Sequence, residues 1–303
     1  MTAPAISAHN LGHAYGDVVA LHHLDLEVPN GRIGLVGANG AGKTTLIKIL
    51  LGILHPTVGN VGVLGVDPAE DVIAVRNRIG YMPEGDCLPL AQSAADFVSY
   101  AAELAGIPAH EARQRASDIL TMVGLHEERF RYLGDFSTGM KQRTMLAQAI
   151  VHDPEIVFLD EPTAGLDPAG REEMLDLISR LGGFGINVLV SSHVLPDIER
   201  TCDWVVMLDG GQVLRSGPLS GLTETNIVEL EVIDQAETVA AELTRLGATV
   251  ETRGNVIILS TDEHDPFIMA RDVLAATGAP LRRMGARSTT LEDIFLGEAP
   301  AND

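Results

Sequence analysis

The segment Gly37-Ala-Asn-Gly-Ala-Gly42-Lys43-Thr44 constrains this chain more than any other. Its spacing is G-x-x-x-x-G-K-[ST]. It lies between a short apolar run, Arg32 to Val36, and the stretch TTLIKILLGIL, which has helical spacing and stops before Pro56. A strand, a glycine-rich turn and a helix in that order aim backbone N–H groups at phosphate oxygens, and the helix adds the positive end of its dipole. Gly37, Ala38, Asn39, Gly40, Ala41 and Gly42 form the cradle. Lys43 reaches the β- and γ-phosphates, the Thr44 hydroxyl suits Mg²⁺, and Thr45 completes the nucleotide-binding set. The chain has very few lysines and uses Arg elsewhere, so a slim point charge at Lys43 is a specific choice.

The flanking sequence reads as alternating strands and helices. Residues 5–36 have strand character, and LHHLDLEVP places Leu24, Leu26 and Val28 on one face. IGYM, Ile156 to Leu159 and Ile186 to Val190 read as buried strands, whereas 92–133 and MKQRTMLAQAIV read as helical, the latter started by Phe136-Ser137-Thr138-Gly139. Such alternation implies an α/β fold around a parallel sheet. The run IVFLDE ends in Asp160 and Glu161. An apolar strand ending in two acids is usually structural. Beside a phosphate loop it places carboxylates over the crevice at the strand ends. Asp160 is then suited to hold Mg²⁺ through water, and Glu161 to orient and deprotonate an attacking water. His193 in VLVSSHVL ends another such strand and can face the γ-phosphate.

Composition narrows the function. Across 303 residues, 21 Lys+Arg face 42 Asp+Glu, a formal net charge of −21, which repels phosphate backbones and anionic lipid. A general nucleic-acid binder is not expected. Cys87 and Cys202 stand far apart in no metal-ligand spacing, so a reducing compartment fits. MTAPAISAHN lacks a basic region followed by an apolar run, so no signal peptide is expected, and Ile49 to Val66 is too broken by Pro56, Asn60 and glycines to span a bilayer.

The texture changes near residue 216, where SGPLSGLTETN reads as a linker. Beyond it, VELEV, AETVAAELTRLG, ATVET, NVIILS, DPFIMARDVLAATG and PLRRMG follow a βαββαβ order, a small α+β domain. Thr289 and Glu292 form a capping box for a last helix, LEDIFL. A ligand-sensing module is one reading of it; no polar cluster there suggests a pocket, so packing or dimerisation is its simplest role.

The phosphate loop, FSTGMKQR ahead of the acidic strand, AGLDP after it and SSH beyond together resemble an ATP-binding-cassette (ABC) transporter ATPase over residues 5 to about 220. FSTGMKQR with the C-terminal STTLEDIFL is similar to ATPase subunits of antibiotic and multidrug (ABC-2 type) exporters. The resemblance implies a P-loop NTPase cassette: a parallel sheet core, an antiparallel β subdomain and a helical subdomain at about 85–152, all within 1–220. The small α+β domain occupies 226–303. It assigns Tyr15 to adenine stacking, Ser137 and Gly139 to the γ-phosphate of ATP on a second copy, and Asp167 to the loop crossing the dimer interface. The implied activity is hydrolysis of Mg·ATP by a head-to-tail dimer. That dimer would sit on the inner face of the cell membrane and drive export through integral membrane permease subunits. The alternative is a soluble cassette protein of translation or DNA repair, which usually carries two cassettes or long insertions that this chain lacks. No residue distinguishes import from export.

Two departures stand out. Glu84 occupies the family's usual Gln position, where a carboxylate still meets Mg²⁺ and the attacking water but adds negative charge. Phe136, Thr138 and Met140 replace the commoner Leu, Gly and Gln, and a Met side chain cannot donate a hydrogen bond to a facing nucleotide.

Overall fold

The computed structural model describes residues 3–85, 87–220, 227–261, 265–286 and 291–292. The chain divides into two compact units, Met1–Leu219 and Ser220–Asp303.

The first unit opens with β1 (Ile6–Tyr15), β2 (Val18–Val28) and β3 (Arg32–Val36), followed by α1 (Lys43–Leu50), β4 (Val58–Val63), α2 (Val72–Arg76) and β5 (Ile79–Met82). Strands β2, β1 and β4 form an antiparallel sheet in that order. Leu24, Leu26 and Val28 of β2 are buried while Asp25 and Glu27 between them face out, as alternation requires; Leu21 is buried as well, beyond an irregularity at His23, whose φ is 48°. Strand β4, VGNVGV, is not evident from composition, because Gly and Asn disfavour strands; pairing with β1 imposes it.

The helical portion holds α3 (Ala94–Leu104), α4 (Ala109–Met122) and α5 (Thr138–Ile150). Ser93 caps α3, its Oγ accepting from Asp96 N at 3.1 Å, and Ser137 caps α5, accepting from Met140 N at 3.3 Å. The predicted helix start at Ser137 is therefore a true N-cap. Then come β6 (Ile156–Asp160), α6 (Pro168–Gly183), β7 (Asn187–Ser192), α7 (Leu195–Thr201), β8 (Trp204–Asp209) and β9 (Gln212–Pro218).

The larger sheet has the order β5-β6-β7-β3-β8-β9. Its first five strands run parallel, and β9 returns antiparallel to β8. Every residue of β6 is buried, because elements cover both faces of a parallel sheet. Phe158 packs there in one apolar cluster with Leu24, Ile33, Ile47 and Leu50. The linker expected from residue 216 starts too early: Ser216 and Pro218 pair with Val206 and Trp204 in the β8–β9 ladder. Ser, Gly and Pro suit an edge strand as well as a turn, and the partner strand decides.

The second unit contains β10 (Ile227–Val232), α8 (Ala236–Arg245), β11 (Thr249–Arg253), β12 (Val256–Ser260), α9 (Pro266–Thr277) and β13 (Leu281–Ala286). Its antiparallel sheet has the order β11-β12-β10-β13 over its own core, including Val228, Leu230, Val239, Leu243, Leu259 and Val273. Thr289 and most of LEDIFL lie outside the described residues. Cys87 is exposed, Cys202 is buried, and both are free thiols. No helix among the described residues is long and apolar enough to cross a membrane.

Gly80 on β5 faces the backbone of α5 so closely that an added Cβ would sit inside the carbonyl oxygen of Ala149. Backbone cannot yield as a side-chain tip can. Gly80→Ala should therefore cost about 3 kcal/mol, a thermal midpoint lowered by roughly 6–12 °C. Gly183→Ala, where nothing lies within 4 Å, serves as the control and should stay within about 0.5 kcal/mol. Equal midpoints for the two variants would reject this packing.

Candidate functional site

Strands β6, β7 and β3 end together. Asp160 stands opposite Ser191, and Ser192 stands opposite Val36. Each chain turn beyond those ends delivers one predicted group: the glycine-rich loop after β3, Glu161 after β6 and His193 after β7. On the far side of β6, Met82 of β5 pairs with Leu159, which brings Glu84 to the same edge. These groups line a cleft of about 380 Å³. Its walls are the loop from Ala38 to Thr45, with Ala20, Glu84, Asp160, Glu161, Ala164 and His193.

The floor turns hydrogen-bond donors toward the cleft. Gly42 caps α1 with φ of 102°, a left-handed conformation that glycine adopts without steric cost. A side chain there would also strike Leu21 and the Ala20 carbonyl. No side chain caps α1 and no acid lies in its first turn, so its free N–H groups and positive end face the cleft. The buried Lys43 ammonium donates to the carbonyls of Gly37 at 2.6 Å and Ala38 at 3.3 Å. Gly37 itself sits behind the loop, buried. Thr44 is exposed into the cleft.

Glu161 is 7% exposed and holds φ of 50°, rare for a residue with a long side chain. Its N–H donates to Ser191 O at 2.9 Å, which ties the turn to β7. Its two carboxylate oxygens lie 3.0 and 2.9 Å from His193 Nδ1, while the imidazole is 56% exposed. Asp160 is 3% exposed. Burial holds its carboxyl above the usual range and the charges of Glu84 and Glu161 push the same way, while the Ser191 hydroxyl and Lys43 oppose them. The Tyr81 phenol is pushed up to about 12, first by burial and then by Asp160, Cys87 and Glu84. The wall formed by Glu84, Asp160 and Glu161 is thus a region of negative potential opposite the Lys43 loop.

Such a field suits a cation. No group of three or more His, Cys, Asp or Glu among the described residues is arranged to cage a metal alone. Mg²⁺ does not need one, since it keeps waters and takes one or two carboxylates plus phosphate oxygens. Asp160, Glu84 and the Thr44 hydroxyl beside a phosphate loop fit that donor set.

Other expected residues stand elsewhere. Tyr15, 47% exposed at the end of β1, does not line the cleft; its ring meets His13 edge-on at 4.7 Å. Ser137, Gly139 and Asp167 do not line it either. Ser137 caps α5, and Asp167 caps α6 by accepting from Gly170 N at 3.1 Å. Sequence reading missed Ala20 and Ala164, which carry no chemistry that would mark them.

A family model described as ABC transporter matches residues 21–164. A daunorubicin resistance ATP-binding protein of Streptomyces coeruleorubidus is 32% identical over 303 residues, covering 98% of this chain and 96% of that protein. The Nod factor export ATP-binding protein I of Burkholderia orbicola (strain AU 1054) is 31% identical over 301 residues, covering 98% and 97%. A solved structure of the ATP-binding subunit of an ABC transporter matches with a TM-score of 0.65 and 29% identity, over 72% of this chain and 91% of that one.

The buried Asp160 carboxyl yields a test. Its folded pKa lies above its unfolded value, so ionising it costs stability, and that cost grows as pH rises through the folded pKa. Asp160→Asn should therefore raise the nucleotide-free thermal midpoint at neutral pH by about 2–4 °C, for a gain on the order of 1 kcal/mol. The gain should shrink under acid conditions, and stabilisation by added Mg²⁺ with nucleotide should fall away. A neutral-pH midpoint below that of the parent would contradict the assignment.

Proposed function

The chain belongs to the family of ABC transporter ATP-binding proteins, and from that premise we propose that it hydrolyses Mg·ATP to drive export through separate membrane subunits. One observation carries the chemistry. The Glu161 carboxylate, 2.9 Å from His193 Nδ1, stands at the lip of a cleft whose floor is the Lys43 loop.

The residues divide the work as follows. The Ala38–Thr45 backbone and Lys43 bind the triphosphate, the ammonium exchanging its carbonyl partners for phosphate oxygens, with Gly37 shaping the loop from behind. Asp160, Thr44 and Glu84 would hold Mg²⁺, which supplies charge neutralisation and orients the phosphate oxygens. Glu161 accepts the proton of the attacking water. Held by its contact with His193 and by the N–H bond to Ser191, it points at a fixed place. His193, half open to the cleft, serves the γ-phosphate. Water adds to the γ-phosphorus and the bond to the bridging oxygen breaks, giving ADP and phosphate.

Four further residues complete the reading: the exposed Tyr15, Ser137 and Asp167, and the half-buried Gly139. Tyr15 offers its ring to adenine. Ser137 and Gly139 at the start of α5 offer a helix N-terminus to the nucleotide of a second copy, and Asp167 crosses between copies. Met140 contributes no hydrogen bond there, so Ser137 and the helix end bear that contact. Relatives named for drug resistance and Nod factor export support the direction of transport. Permease subunits in the cell membrane would be the partners, with this chain on the cytoplasmic face. Neither a nucleic-acid partner nor the reading in translation or DNA repair draws support from these relatives. The second unit is read as a packing or dimerisation element.

Glu161→Gln keeps the shape and removes the proton acceptor. It should lower kcat about 10²–10⁴-fold while nucleotide affinity stays close to that of the parent. Size-exclusion chromatography with Mg·ATP should then show a dimer. Parental turnover in the variant would sink the reading. A chain ending at Leu219 should still bind ATP, since every proposed nucleotide residue precedes that point. A folded fragment without nucleotide affinity would show that the second unit is needed.

A further inference from the structure

Asp197 sits in the first turn of α7, 3% exposed, and lies a few residues beyond His193. Its Oδ2 accepts from Thr163 Oγ1 at 2.9 Å, and its Oδ1 accepts from Arg171 Nε at 2.8 Å and Nη2 at 2.7 Å. Thr163 is 9% exposed and belongs to the turn that begins at Glu161. Arg171 lies in α6 just past its cap, and its backbone N–H donates to Asp167 O at 2.9 Å. Thr201 Oγ1 donates to the Asp197 carbonyl at 2.6 Å, which anchors that turn of α7. One buried carboxylate therefore joins the turn bearing Glu161, the helix after Asp167 and the helix after His193. Thr163, Arg171 and Asp197 do not line the cleft.

The arrangement has a mechanical meaning. The Glu161–His193 contact and the Thr163–Asp197 bond bridge the same two segments, one beside the cleft and one behind it. Glu161 is held in a left-handed conformation that persists only where the surroundings fix it. Charge-assisted, two-nitrogen bonding of Arg171 makes Asp197 a stiff post. A proton acceptor displaced by about 1 Å loses on the order of 10²-fold in rate.

We propose that Asp197 is a positioning residue for hydrolysis: through Thr163 and Arg171 it fixes the distance and angle between Glu161 and His193. This rests on Glu161 being the proton acceptor.

The test is steady-state ATP hydrolysis by the full chain. Thr163→Val removes one hydroxyl at nearly constant shape. It should lower kcat about 10–100-fold, with KM for Mg·ATP within about threefold of the parent. Thr163→Ser, which restores the hydroxyl, should return kcat to within about threefold. A parental kcat in Thr163→Val, or a loss that the Ser variant fails to rescue, overturns the proposal. Should Thr163→Val not fold, Arg171→Lys carries the same test, because it keeps a positive charge beside the buried Asp197 and loses only the two-nitrogen bonding. It should lower kcat with little effect on KM, and a parental kcat overturns the proposal. Glu161→Gln is run alongside. If it remains active, the proton-acceptor reading fails and the proposal with it. If it is inactive while Thr163→Val turns over normally, only the positioning role fails.

Discussion

A one-residue slip between β6 and β7 would exchange the faces of every side chain on one strand, and Asp160 would lose its place beside Ser191. The cleft depends on that registry. Its residues come from widely separated parts of the chain and share only the edge at which β5, β6, β7 and β3 stop. The register is protected because β6 is buried along its whole length, so a one-residue slip toward Val190 would put the Asp160 carboxyl where Leu159 packs. The core and the site are thus specified by the same ladder.

Much of this was legible beforehand, for a physical reason. Phosphate binding demands glycines, a lysine and a hydroxyl at set offsets, and those offsets survive in the linear sequence from Gly37 to Thr44. Asp160, Glu161 and His193 were legible because each follows an apolar run that can only be an inner strand. Other features leave no such trace. Strand β4 is made of residues that prefer turns, and only its ladder with β1 makes it a strand. Ser216 to Pro218 resembled a linker by composition, yet β8 offers partners for it. Thr163, Arg171 and Asp197 are ordinary in type and spacing; what marks them is burial and mutual distance, and both require the fold.

Electrostatics gives the site a second character. A carboxyl as buried as Asp160, with two more acids lining the same cleft, is a poor arrangement for an empty protein and a good one for a cation with phosphates. The chain's net charge of −21 deepens the field. Binding a cation together with its anionic ligand relieves it locally, so occupancy and stability rise together. Glu84, which lines the cleft and pushes the Asp160 carboxyl up, contributes to that field.

The backbone of Glu161 carries a consequence for how this position can vary. At φ of 50° a residue with a Cβ bears about 1–2 kcal/mol of steric cost, from which glycine is exempt and which asparagine tolerates well. A library screened only for thermal endurance would therefore enrich Gly or Asn at 161 and discard the acid. Screens of that kind would remove the proposed proton acceptor. Consensus or stability-guided redesign should hold residue 161 fixed and seek its gains in the scaffold around it.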